Sequence, residues 1–380
     1  MSHLKPRLLK PDQEEVAPQT EPVKTYRVRG IPYFQVLNND GQPVVELPDW
    51  AQRKNPLVAL YKVMLKTRLF DQKAVALQRR GQLGTYASSL GQEAIGAAIG
   101  CSMQTDDVLF PAYREYAAQF SRGVSMTEIL LYWGGNEQGM NFQHQDKDFP
   151  ICVPIASHVP HAAGTAYAMK YRGQRRVAVC VFGDGATSKG DFYEALNAAG
   201  SMDLPLVFVI NNNQWAISFS RKHQSKALTL AHKSVAAGIP GEQVDGNDVI
   251  ALRQRIGRAL ENARDGRGPT LIEALTYRLC DHTTADNADR YRDSEEVKKQ
   301  WVNDPLVRLR KHMQLLGFWS DQEEKDLNSR YLVEVEQATR AYLQTPPQPI
   351  SSMFDYLYKS LPDALNEQRS AAMDQGHQSG

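Results

Sequence analysis

Two short apolar runs, VAVCVF at 177–182 and LVFVI at 206–210, bracket an Ala-rich stretch from Asp191 to Met202, and this alternation constrains the chain more than any other feature. Each run suits a buried strand, and the stretch between them suits a helix. Strand, helix and strand at this spacing form a parallel βαβ unit, whose crossover is right-handed in nearly all cases. A third run, LIEALTYRL at 271–279, continues the alternation. The expected fold class is therefore α/β, a doubly wound parallel sheet flanked by helices.

Open parallel sheets bind ligands outside the carboxyl ends of their strands, and both strands of a βαβ unit end on one edge. Gly183-Asp184-Gly185 follows the first strand and Asn211-Asn212-Asn213 follows the second. One carboxylate and one carboxamide thus reach the same rim, with glycines that let backbone approach a phosphate closely. Both side chains are hard oxygen ligands, which suits Mg²⁺ completed by a backbone carbonyl, diphosphate oxygens and water. Each motif alone also reads as a turn. Neither is a P-loop, because the GxxxxG spacing of Gly185 to Gly190 is followed by Asp191, and neither is a GxGxxG fingerprint.

Charge excludes several partners. Lys+Arg number 44 and Asp+Glu 43, a net charge of +1 without a dense basic stripe, so nucleic acid and acidic membrane surfaces are not expected. Hydrophobic residues at 42% and charged residues at 23% exclude a wholly disordered, collagen-like or coiled-coil chain. Cys101, Cys152, Cys180 and Cys280 are far apart, with no C-x-x-C, which supports neither a disulfide framework nor structural zinc. No run approaches the roughly 18 apolar residues of a membrane span, and MSHLKPRLLKPDQEEV lacks the core of a signal peptide. A soluble protein in a reducing cytoplasm is expected.

Residues 1–24 carry Pro6, Pro11, Pro18 and Pro22 among charges and read as a flexible arm. In 25–55, YFQVL and VVEL flank Asn38-Asn39-Asp40-Gly41, an expected hairpin. Asn55 as cap and Pro56 as first helical residue open a helix expected to end near Gly81. The central α/β domain is placed at 56–293, charged helices at 294–368, and a flexible polar tail at 369–380.

GDGATSKGDFYEALNAAGSMDLPLVFVINNN resembles, with matching spacing, the thiamine diphosphate motif that opens with GDG and closes with NN. TYASSLGQEAIG, FPAYRE, NNNQWAIS, AAGIPGEQVDGND, GPTLIEALTYR, HTTADNADRYR and DPLVRLRKH extend the likeness in order across residues 30–365. Together they resemble the alpha subunit of the decarboxylating first component of 2-oxo acid dehydrogenase complexes. The resemblance implies a thiamine diphosphate-binding fold, with Mg²⁺ on Asp184, Asn213 and the carbonyl of Trp215. It implies Tyr113 and Arg114 at the diphosphate, Gly183, Gly185 and Ala186 along the phosphate loop, and Val153 and Ile155 beside the aminopyrimidine. His282 matches the active-site histidine, near both the diphosphate and the reacting substrate. The sequence departs from the family pattern at Asn287, where an acid is common, at Cys280-Asp281, and at His158, where many relatives have Gln.

The same resemblance implies a separate beta subunit that supplies the glutamate contacting the pyrimidine, an α2β2 heterotetramer with small-residue helices such as 162–168 closely packed, and acyl transfer to the lipoyl domain of a dihydrolipoyl transacylase. The expected reaction is oxidative decarboxylation of pyruvate, since GQLGTYA and AAGIPGEQVDGND look most like bacterial pyruvate dehydrogenases. Branched-chain 2-oxo acids such as 3-methyl-2-oxobutanoate, or acetoin, are the alternatives within this chemistry. A non-catalytic assembly subunit is the alternative outside it, and the presence of Asp184, Asn213, Tyr113, Arg114 and His282 speaks against that.

Overall fold

Strands β3 (Ala178–Gly183) and β4 (Leu206–Asn212) pair in parallel across α6 (Gly190–Ser201), as the alternation requires. The structure, a computed structural model, describes residues 30–378, so the arm expected at 1–24 lies outside the described residues. From Ile31 onward the residues form one unit. Around the central pair stand β1 (Tyr33–Phe34), β2 (Val108–Phe110), β7 (Gly241–Asp245) and β8 (Thr270–Leu275). The order is β1-β7-β8-β4-β3-β2, and every neighbouring pair is parallel. A separate two-stranded hairpin, β5 (Trp215–Ala216) with β6 (Phe219–Ser220), stands just beyond the end of β4.

Alternate strand residues point to opposite faces, and both faces are apolar. Val179, Val181, Val207, Val209, Ile272 and Ala274 bury against α1 (Lys54–Arg79), α2 (Glu93–Ser102) and α9 (Val249–Arg264). Helices α11 (Pro305–Leu315) and α12 (Asp321–Gln344) contribute to the same core. On the other face Cys180, Phe182, Phe208 and Ile210 bury against α5 (His158–Tyr171) and α6. A third cluster joins α1 to α3 (Tyr116–Ser121) and α4 (Met126–Trp133) around Phe70, Tyr86 and Tyr116. The doubly wound α/β expectation is met.

Several local expectations are corrected. Residues 38–41 do turn, with Gly41 at φ +75 and its N–H donating to Asn38 O at 3.0 Å, and Val44 N–H donates to Val36 O at 2.8 Å across the turn, but the hairpin is shorter than YFQVL and VVEL suggest. Only the single bridge Leu37–Pro43 is antiparallel, while Tyr33 and Phe34 join the main sheet beside β7. The reason is Asp248, whose Oδ2 accepts the N–H groups of Val36 at 2.7 Å and Leu37 at 2.6 Å and so recruits this segment to the sheet edge. Helix α1 starts at Lys54 with Arg53 at the cap, so Asn55 is inside it and does not cap. Strand β8 ends at Leu275, short of the apolar run, although Thr276 and Arg278 still donate their N–H groups to the carbonyls of Asn212 and Asn213 beyond the end of β4.

Beyond the sheet come the short turns α7 (Arg221–Gln224) and α8 (Lys233–Ala236), then α10 (Ser294–Gln300) ahead of α11 and α12. Helix α13 (Ser352–Asp355) and helix α14 (Asn366–Gln378) follow, and α14 runs through residues where the sequence pattern places a polar tail from 369. No helix among the described residues is long and apolar enough to cross a membrane. All four cysteines are free.

Candidate active site

The rim at the carboxyl ends of β3 and β4 is built by register: Gly183 pairs with Asn211, so Asp184 and Asn213 follow at the tips of neighbouring strands. Asp184 opens a 3-10 turn, Asp184–Ser188, which Thr187 closes by donating its hydroxyl to the Asp184 carbonyl at 2.8 Å. The Asp184 side chain is 1% exposed, and its Oδ2 has no hydrogen-bond partner. Burial pushes its carboxyl up to about 7. A buried carboxylate oxygen without a donor is costly, and such an atom calls for a cation or a proton. Beside it, a Cβ on Gly185 would lie 2.9 Å from the Cβ of Ala216, so the turn packs against the β5–β6 hairpin too closely for a side chain.

Asn213 is buried and oriented from two sides. Its Nδ2 donates to Gln92 Oε1 at 3.0 Å, which turns Oδ1 toward the Trp215 N–H at 3.2 Å. Gln214 between them sits at φ +73 and Ile217 at φ +55, strained conformations for residues with side chains, each costing about 1–3 kcal/mol. The strain bends the backbone back so that residues 213–216 face the Asp184 turn. Arg278, fully buried, braces the far side by donating to the carbonyls of Ile217 at 2.9 Å and Trp215 at 3.5 Å.

Arg114 and His282 meet here from distant segments. Arg114 donates Nη1 to the Ser88 carbonyl, and its Nη2 donates to the His282 carbonyl at 2.6 Å and faces His282 Nδ1 at 3.2 Å. A guanidinium can only donate, so Nδ1 is the acceptor and the imidazole proton resides on Nε2. Burial first, then Arg114 and Arg278, depress the His282 pKa to about 4, so the ring is neutral near pH 7. Asp286 fixes the loop by accepting the His282 N–H at 2.9 Å and the Tyr291 hydroxyl. Tyr113 stands edge-on to His282 at 6.1 Å between ring centroids, with the Arg114 guanidinium 5.3 Å from its own ring centre. A cavity of about 700 Å³ opens beside Trp215, Gln214 and Tyr291.

Asp184, Asn213, Trp215, Gly185 and Ala186 are thus neighbours around one turn, and Arg114, Tyr113 and His282 form a second group held by Ser88 and Arg278. Val153 and Ile155 are each 46% exposed, on the segment leading into α5. His158 belongs to neither group: it is buried in α5 against β3, with Nε2 at 2.8 Å from the Val181 carbonyl. Among the described residues no three His, Cys, Asp or Glu side chains converge as a metal cluster. One carboxylate, one carboxamide and one carbonyl form a different, harder donor set. Sequence reasoning missed Gln92, which aims Asn213, and Arg278, which braces both His282 and the hairpin. Their only signal was a polar residue inside an otherwise small or apolar stretch.

A doubly wound sheet with this rim defines a class, and a family model described as "Dehydrogenase E1 component" matches residues 61–351. The chain belongs to the dehydrogenase E1 component family. Among its relatives is the pyruvate dehydrogenase E1 component subunit alpha of Staphylococcus epidermidis, 38% identical over 337 residues, covering 88% of this chain and 90% of that protein. The subunit of the same name from Staphylococcus aureus matches at 38% over 337 residues with the same coverage.

Proposed function

We propose that this chain is the alpha subunit of a 2-oxo acid dehydrogenase E1 component that acts on pyruvate and binds thiamine diphosphate through Mg²⁺. The observation that carries the reading is the buried, partnerless Oδ2 of Asp184 beside the oriented carboxamide of Asn213. That pair, the Trp215 carbonyl and the close Gly185 turn fit a magnesium diphosphate: hard oxygens for the metal and bare backbone for the phosphates. When bound, thiamine diphosphate supplies the nucleophilic carbon and the electron sink that decarboxylation needs.

The chain's own residues bind and orient. Arg114, held by Ser88 and His282, brings its positive charge and its remaining N–H donors to the diphosphate, and the backbone of residues 183–186 offers N–H groups to its oxygens. Asp184, ionised once paired with the cation, anchors the assembly. His282, neutral with its proton on Nε2, donates a hydrogen bond from that atom toward the reacting oxygen and can return the proton there. The exposed segment of Val153 and Ile155 holds the aminopyrimidine with its backbone. A beta subunit, in an α2β2 heterotetramer, supplies the glutamate that contacts the pyrimidine ring, and a lipoyl domain of the transacylase receives the acyl group. Four free cysteines fit a cytoplasmic setting.

Thermal stabilisation of the reconstituted protein by thiamine diphosphate plus Mg²⁺, and not by NAD or ATP, is the expected result. Asp184→Ala is expected to abolish it while circular dichroism stays unchanged; a surviving metal-dependent shift refutes the metal assignment. For the substrate, kcat/KM for pyruvate against 3-methyl-2-oxobutanoate with an artificial electron acceptor decides. A preference for the branched acid replaces pyruvate and leaves the site assignment standing.

A further inference from the structure

Glu273 lies in β8 between the apolar Ile272 and Ala274, and it is 0% exposed. Burying a carboxyl in the centre of a packed sheet is unfavourable unless its oxygens are hydrogen-bonded, whereas burying an apolar side chain there is favourable. Oε1 accepts from Asn212 Nδ2 at 2.6 Å and Oε2 accepts the Ala231 N–H at 2.9 Å. With both oxygens committed as acceptors, the amino end of Asn212 must face Glu273 and its carbonyl oxygen must face away. That oxygen then accepts from Gln214, at 3.2 Å from the backbone N–H and 2.9 Å from Nε2.

Gln214 is the residue at φ +73 that joins Asn213 to Trp215. Its strained conformation sends the chain back so that the Asn213 side chain and the Trp215 carbonyl belong to one short turn, tied by the 3.2 Å contact between Asn213 Oδ1 and the Trp215 N–H. We propose that Glu273 is a positioning residue for the metal end of the diphosphate site: through Asn212 it locks the Gln214 turn and thereby places the two oxygen donors, of Asn213 and Trp215, that follow β4. This inference rests on the function proposed above, and it assigns to a sheet-core carboxyl a task at a site it does not touch.

The chemistry of amides offers a discriminating test. In Glu273→Gln the single amide oxygen can serve Asn212 or Ala231 but not both, and a rotated Asn212 would set its amino group against the Gln214 N–H. In the double variant Glu273→Gln with Asn212→Asp every bond is restored: the glutamine oxygen accepts from Ala231, its amino group donates to Asp at 212, and the second oxygen there accepts from Gln214. The experiment is titration of Mg²⁺ at fixed thiamine diphosphate, followed by intrinsic fluorescence, on the full chain assembled with its beta subunit. Melting temperature is recorded in parallel without cofactor.

Glu273→Gln is expected to raise the apparent Mg²⁺ Kd by about tenfold or more, the loss of one well-aimed hydrogen bond. The double variant is expected to return to within about threefold of wild type. Should Glu273→Gln not fold, Asn212→Ala, which leaves the Glu273 bond to Ala231 intact, must show the same loss. A lowered melting temperature with wild-type Kd in either single variant overturns the inference, as does a double variant as weak as Glu273→Gln. A wild type that binds no magnesium thiamine diphosphate overturns the proposed function and this inference with it; a wild type that binds, beside a Glu273→Gln that binds equally well, overturns the positioning role alone.

Discussion

Glu115 should make the folded chain less stable as pH rises, and Glu115→Gln should remove that dependence. Its side chain is buried at the start of α3, next to Arg114, where it accepts the Arg114 N–H at 3.1 Å. Burial raises its pKa from 4.5 to about 7. The native state therefore keeps a proton that the unfolded chain has already released, and stability falls as pH climbs through that interval and levels off above it. At 1.36 kcal/mol per pH unit, the full effect is about 3 kcal/mol, an upper figure that native-state relaxation will reduce. Glutamine keeps a carbonyl for the Arg114 N–H and cannot ionise. Urea unfolding of both proteins at several pH values between about 4.5 and 8 should show the variant gaining on wild type as pH rises, with parity at the acid end. A stability difference that is the same at every pH refutes the reasoning, because it would mean that Glu115 does not titrate differently in the two states.

Asp248→Ala should destabilise the chain by about 3–5 kcal/mol, since it leaves Val36, Leu37, Ile250 and Ala251 with buried N–H groups lacking acceptors; a urea midpoint near wild type would contradict this. His282→Ala should lower the rate of decarboxylation or acyl transfer by at least about 100-fold with little change in cofactor affinity, and an equal loss of affinity would reduce His282 to a binding residue. Because its pKa lies near 4, His282 should contribute no ionisation to the rate profile between about pH 6 and 8; a limb that disappears in His282→Ala within that range would refute the neutral assignment.

Much of this site was legible because it is local. Asp184 and Asn213 sit at the ends of strands that announce themselves by apolar composition, and parallel pairing carries them to one rim without further information. The hairpin at 38–41 was legible only in part: its turn forms and Val44 donates across it to Val36, yet Asp248, about two hundred residues away, accepts the N–H groups of Val36 and Leu37 and ties the segment to the sheet edge instead of leaving two long arms paired. Glu273 hid in a run read for its apolar content and Gln92 in a stretch matched as a whole, since a side chain's role as an acceptor depends on donors that the neighbouring sequence does not reveal. His158 drew notice by its type, and the structure gives it a core carbonyl. Arg278 closes the stretch GPTLIEALTYR, but only the folded loop shows it bracing both His282 and Ile217.

The segment at Val36 and Leu37 also dictates a timetable. Asp248 is 212 residues downstream of Val36, and Arg308, which donates to the Leu37 carbonyl, is 271 residues downstream. A ribosome adding roughly 5–20 residues per second needs about 10 to 50 s to cover that distance. Until then Val36 and Leu37 lack the side chains that fix their backbone to the sheet edge, and they gain them only after the strands that form the rim have been made. The segment that carries β1 is therefore among the first parts of the described chain to be made and among the last to be set, because β7, its neighbour in the sheet, and Asp248 and Arg308, which pin it, all come far later in the chain.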